Sequence, residues 1–192
     1  KMVIHTEKTD VHWNYFLAIE RDLEVLSRYV EFDERNFQCF SIEIARIVLA
    51  AGAEIDVVCK QMCQAVNPGS IANDINAYRT EIKSAIPNIP DFKVLVPRFG
   101  IILQPWDEWR SQTGVPLWWT AYNKIKHQRD FQYHQASLKN ALNAVAGLFV
   151  VVLYLYKDKA KSGELLPTTQ LFDVDEEHAG GFIVVGTPTY EL

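Results

Sequence analysis

A mainly α fold is what this 192-residue sequence predicts: an up-down helical bundle with a small β-hairpin insert and a C-terminal tail patterned for a second β-hairpin. Three observations point there. Apolar residues recur at helical spacing over long stretches on both sides of the middle of the chain. Between Pro87 and Gly114 that periodicity gives way to short extended runs edged by prolines. The run from Ala141 to Tyr156 is apolar almost throughout, broken by Asn143 and Gly147, as suits a helix surrounded by other helices.

The elements follow in order. From His12 to Val30, residues Trp13, Phe16, Leu17, Ile19, Leu23, Leu26 and Val30 form a helical stripe, with Asp10 placed as its N-cap. Glu31 to Arg35 is a charged turn. A second long pattern runs from Phe37 to about Val66 and is stopped by Asn67-Pro68-Gly69. Gly52 inside it is either a tolerated weak point or a close helix contact. Ser70 is placed to cap a third helix whose buried face is Ile71, Ile75, Tyr78, Ile82 and Ile86, with Pro87 after it. Phe92–Pro97 and Phe99–Pro105 read as a hairpin or two irregular strands. Trp106, Trp109, Trp118 and Trp119 crowd around them, either fastening the insert to the bundle or forming a base-stacking platform. Pro116 fits the first turn of a helix to about Arg129, and the last major helix runs from about His134 to Ala160. In the tail, Thr169–Val174 and Gly181–Val185 are strand-like and flank an acidic turn. That pattern suits a hairpin on the bundle or a partner-binding arm. The organisation is one helical domain over residues 11–160, with the insert at about 90–105, and a tail over 161–192.

The net charge of −5 argues against a protein that coats nucleic acid non-specifically, yet leaves room for a local basic site. The apolar run 141–156 falls short of the ~20 residues of a membrane span and is flanked by Lys139, Lys157, Lys159 and Lys161. A soluble, cytoplasmic protein without a membrane partner is expected. Cys39, Cys59 and Cys63, an odd set with no secretory signal, read as reduced thiols. Cys59 and Cys63 share a helix face, but zinc normally wants four protein ligands or three plus water, so buried small apolar residues are the better account.

The densest polar chemistry lies in Tyr122–His134. Between Ala121 and Asn140, Lys124, Lys126, Arg129 and Lys139 stand against Asp130 alone, with His127 and His134 among them. A histidine exchanges protons near neutral pH and a guanidinium holds a phosphate or a developing oxyanion. Arg129 and His134 therefore suit phosphodiester cleavage. The same residues also suit an ordinary basic cap on a structural helix.

A helical bundle with Arg-x4-His (Arg129, Asp130, His134) at the start of its last long helix resembles the HEPN superfamily (higher eukaryotes and prokaryotes nucleotide-binding). The lead-in Tyr122-Asn123 and Lys126-His127, and the run Leu138-x-Asn140-Ala141-Leu142-Asn143-Ala144, strengthen the likeness. It covers residues 11–160, outside the insert and tail. The resemblance implies a metal-independent endoribonuclease, often a toxin or phage-defence effector and often a homodimer that brings two motifs together. RNA and an antitoxin or other protein are the implied partners, and no cofactor or metal is required. In that setting His134 does acid–base work, Arg129 holds the phosphate, and Asp130 orients one of them or caps the following helix. Lys126 and His127 assist phosphate binding or supply a second imidazole, so the two histidines stay alternatives. In an up-down bundle the second and fourth long helices run parallel with their N-terminal ends together. Ser41 and Glu43 then face Arg129, with Glu54 and Asp56 fitting less well; the alternative for Glu43 is a salt bridge with Arg46. The competing reading is a non-catalytic module of the same ancestry that binds a nucleotide, a nucleic acid or a protein. A zinc or iron enzyme built on His127 and His134 ranks last, since neither Glu-x-x-His nor His-Glu-x-x-His occurs.

Overall fold

The computed structural model describes residues 9–175. The chain is mainly helical with a three-stranded antiparallel sheet. Helices α1 (Val11–Leu26), α2 (Ile42–Val66) and α3 (Ile75–Ala85) precede strands β1 (Val94–Val96) and β2 (Ile101–Leu103). Helices α4 (Leu117–Gln132), α5 (Leu138–Leu155) and the short α6 (Lys157–Ser162) follow, and strand β3 (Asp173–Val174) comes last.

Helix α5 is the centre of the core, packing against α1, α2 and α4. Every residue from Ala144 to Leu153 is buried. This helix has the length and composition to cross a membrane, but 72% of it is buried inside the bundle. On α1, Trp13, Phe16, Ile19, Leu23 and Leu26 turn inward as the stripe predicts. Asp10 sits at the expected N-cap position but makes no capping bond; its carboxylate instead holds Lys159 at 2.8 and 2.9 Å.

Two helix starts differ from expectation. Helix α2 begins at Ile42, where the Ser41 hydroxyl accepts from the Ile44 amide at 3.2 Å, rather than at Phe37. The stretch ahead of it is a 3₁₀ turn, Glu34–Asn36, followed by residues tied to the start of α5: the Cys39 and Phe37 carbonyls accept the amides of Leu138 and Lys139 at 2.8 and 3.1 Å. Helix α3 is capped by Asp74, not Ser70: its carboxylate accepts the amides of Asn76 and Ala77 at 2.8 and 3.1 Å, satisfying donors that a helix leaves unpaired. Ser70 lies in the preceding turn, and Ile71 is 92% exposed rather than buried.

The insert is a hairpin with Val94 opposite Leu103 and Val96 opposite Ile101. Its four neighbouring tryptophans are all buried. Trp106 Nε1 donates to the Gly147 carbonyl at 3.2 Å and Trp118 Nε1 to the Pro105 carbonyl at 2.7 Å, so the rings fasten the insert to α5 and α4. Burial overturns the base-stacking platform.

In the tail, Asp173–Val174 of the first strand-like run pairs with β1, giving the order β2-β1-β3 among the described residues. Leu165, Leu171 and Phe172 are buried against the bundle. The other run, Gly181–Val185, lies outside the described residues.

Candidate functional site

The Arg129–His134 segment occupies the corner between α4 and α5. The α4 backbone leaves helical geometry at Gln128 (φ −139°, ψ 35°), so Arg129–Gln132 form a separate final turn. A 3₁₀ turn, Tyr133–Gln135, carries His134, and α5 starts only after Ser137, whose hydroxyl accepts the Asn140 amide at 3.3 Å. Asn140 Nδ2 donates to the Gln135 carbonyl at 2.9 Å and ties this turn to the helix behind it. His134 therefore stands before the helix and not on it.

The N-terminal end of α2 lies alongside. Phe40 and Ser137 form a β-bridge, and the Phe40 and Tyr133 rings meet edge to face at 5.7 Å. The starts of α2 and α5 are thus neighbours. Glu43 nonetheless turns to Arg46, whose Nη1 donates to its carboxylate at 2.8 Å. Glu54 and Asp56, further along α2, hold His12 and Tyr78, at 2.5 and 2.7 Å.

Lys126, His127, Arg129, Asp130 and His134 are all exposed. The ammonium of Lys126 lies 5.5 Å from the centre of the Tyr122 ring. His134 Nε2 is 2.8 Å from the Gln135 amide nitrogen, which can only donate, so Nε2 accepts there. Among the described residues no hydrogen bond or ion pair joins Arg129, Asp130 and His134 to one another, and none occupies Arg129. One chain presents these groups on one exposed corner but does not close them into a site. Apolar side chains border the corner: Phe131 is 79% exposed and Ile42 68%.

Among the described residues no group of histidine, cysteine, aspartate and glutamate side chains is placed to hold a metal ion. Cys59 and Cys63 are buried thiols, as their surroundings on α2 suggest.

The cluster that sequence reasoning missed is His12 with Glu54 and Gln61; His12 and Gln61 line a separate cleft. His12 reads as the first turn of an apolar stripe, and its partners lie on another helix. No spacing in the sequence could have joined them.

No family model matches this chain, and neither a curated protein nor a solved structure matches it significantly.

Proposed function

We propose that the protein is a metal-independent endoribonuclease of HEPN type that works as a homodimer, its centre built from Arg129 and His134 of both copies. One observation carries this reading: the arginine and the histidine of the motif are both exposed at a helix corner, with Arg129 engaged in no ion pair among the described residues. Its planar guanidinium is left able to take a phosphate through paired hydrogen bonds.

RNA supplies its own nucleophile. An imidazole takes the proton of the 2′-hydroxyl as its oxygen attacks phosphorus, and a second protonates the departing 5′-oxygen. The products are a 2′,3′-cyclic phosphate and a free 5′-hydroxyl. The guanidinium of Arg129 offers a paired set of donors to the non-bridging oxygens as negative charge builds there. Lys126 and His127 add positive charge on the same side. The exposed apolar border of Phe131, Ile42 and Phe40 suits a second copy, which would bring two imidazoles to one phosphate.

The alternative is a non-catalytic binding module of the same ancestry, favoured by the lack of any bond between Arg129 and His134 within one chain. The deciding experiment is cleavage of a mixed RNA pool in EDTA by the parent, Arg129→Ala and His134→Ala proteins. Cutting by the parent that both substitutions abolish supports the ribonuclease. A folded, dimeric parent that does not cut, or cutting that persists in both variants, overturns it.

A further inference from the structure

A second polar cluster lies at the other end of the bundle. It is separated from the Arg129–His134 corner by the 18-residue length of α5, about 27 Å at ~1.5 Å per residue. His12 is only 8% exposed. Its Nδ1 meets the Glu54 carboxylate at 2.5 Å and its Nε2 meets the amide nitrogen of Gln61 at 2.9 Å. The amide nitrogen can only donate, so Nε2 accepts and Nδ1–H donates to Glu54. The backbone amide of His12 donates to the Tyr156 hydroxyl oxygen at 3.4 Å, which leaves the Tyr156 proton free for another acceptor. His12, Gln61 and Tyr156 line a cleft of about 860 Å³, within the range of small-molecule sites.

We propose that this cleft binds a small organic carboxylate with an aromatic or aliphatic body. The inner carboxylates are already matched: Asp10 holds Lys159 at 2.8 and 2.9 Å, and Glu54 holds His12. What remains directed at the cleft is a set of donors: the Tyr156 hydroxyl, the Gln61 amide and the exposed Lys157 ammonium. Asp158 stands on the rim, exposed. A surplus of donors calls for an acceptor, and an oxyanion accepts from several at once. Val11, Leu155 and the ring of Tyr154 supply the apolar wall for the body of the ligand.

Gln61 is exposed and covers Nε2 of His12 in the free protein. Its amide carries a second N–H, left for a ligand oxygen. Around His12 the charged and titratable groups are Asp10 on its own helix, Glu54 on α2, and Tyr156, Lys157, Asp158 and Lys159 after α5. Burial raises Tyr156 above its ordinary value, so it stays a donor at neutral pH.

Calorimetric titration of the full chain with benzoate, hexanoate, benzamide and inorganic phosphate tests this. Saturable binding of at least one carboxylate is expected, with benzamide at least about tenfold weaker, a difference of ~1.4 kcal/mol. Lys157→Ala, a surface change that leaves the fold intact, should weaken the carboxylate by about tenfold as well. The proposal is overturned by any of three results: no saturation by either carboxylate at roughly 10 mM, equal binding of benzamide, or tighter binding of phosphate. None of these touches the ribonuclease reading, whose groups lie at the opposite end of the molecule.

Discussion

Gly52 of α2 sits face to face with the ring of Tyr122 on α4, so close that a Cβ at residue 52 would stand 2.4 Å from Cδ2 of the tyrosine. The helices approach as they do because this position carries no side chain. Alanine would gain about 1 kcal/mol in helix propensity, but overpacking a filled site costs about 1–3 kcal/mol. Gly52→Ala is therefore expected to lower the urea midpoint. An unchanged or higher midpoint would mean that the ring yields. Because Lys126 lies over the same ring, the substitution should also disturb the Arg129–His134 corner, visible as reduced RNA cleavage.

Glu20 holds the described tail. It is 2% exposed, and its carboxylate accepts the amides of Gln170, Leu171 and Phe172 at 2.9–3.1 Å. Glu20→Ala would strand these donors, each costing about 1–3 kcal/mol, and a total loss of roughly 3 kcal/mol in chemical denaturation is expected.

Burial raises the Glu20 carboxyl above its ordinary value, and the backbone donors offset part of that rise. An acid raised in the folded state contributes stability below its unfolded pKa of about 4.3 and loses it as pH rises through the folded value. The parent should therefore lose stability relative to Glu20→Gln, which has no charge to bury, on going from pH 4 to pH 7. A difference that stays constant across this range would refute the raised value.

The cysteines differ in reactivity. Burial, then Glu81, pushes the Cys63 thiol up to about 11, and burial raises Cys59 well above the ordinary range. At pH 8 the thiolate fraction of Cys63 is on the order of 0.1%, against roughly a quarter for a free thiol of pKa about 8.5. Iodoacetamide should label the half-buried Cys39 first in the native protein, and all three after unfolding.

Arg129 and His134 are exposed, so alanine at either should change stability by no more than about 0.5 kcal/mol. Loss of RNA cleavage in these variants would then report chemistry rather than unfolding. Phe131→Glu, at a residue 79% exposed, should leave the melting temperature of the monomer unchanged and shift sedimentation toward monomer.

How far the sequence carried these conclusions varied with the range of the interaction. The α1 stripe follows from periodicity, because each residue's fate depends on neighbours three or four places away, and the buried α5 follows from its nearly unbroken apolar run. The cap of α3 is local too, yet Ser70 and Asp74 both qualify by type. The choice fell to Asp74 because its carboxylate reaches two amides. The start of α2 was not legible, since the carbonyls of Phe37 and Cys39 pair with the amides of Lys139 and Leu138, about a hundred residues along the chain. The exposed corner at Arg129 was visible as a break in helical pattern. The His12–Glu54 pair, joined across helices, left no mark in the sequence.

Strand β3 covers an edge of β1 that belongs to a much earlier part of the chain, with Val174 opposite Val94. During synthesis the hairpin of β1 and β2 emerges first, and its open edge waits while α4, α5 and α6 are made. Unpaired strand edges invite pairing with other chains. A nascent or prematurely ended polypeptide stopping before Asp173 would carry that edge unprotected, together with the Glu20 carboxylate that the tail should cover. Such a fragment should aggregate on release from the ribosome even though its helices are complete.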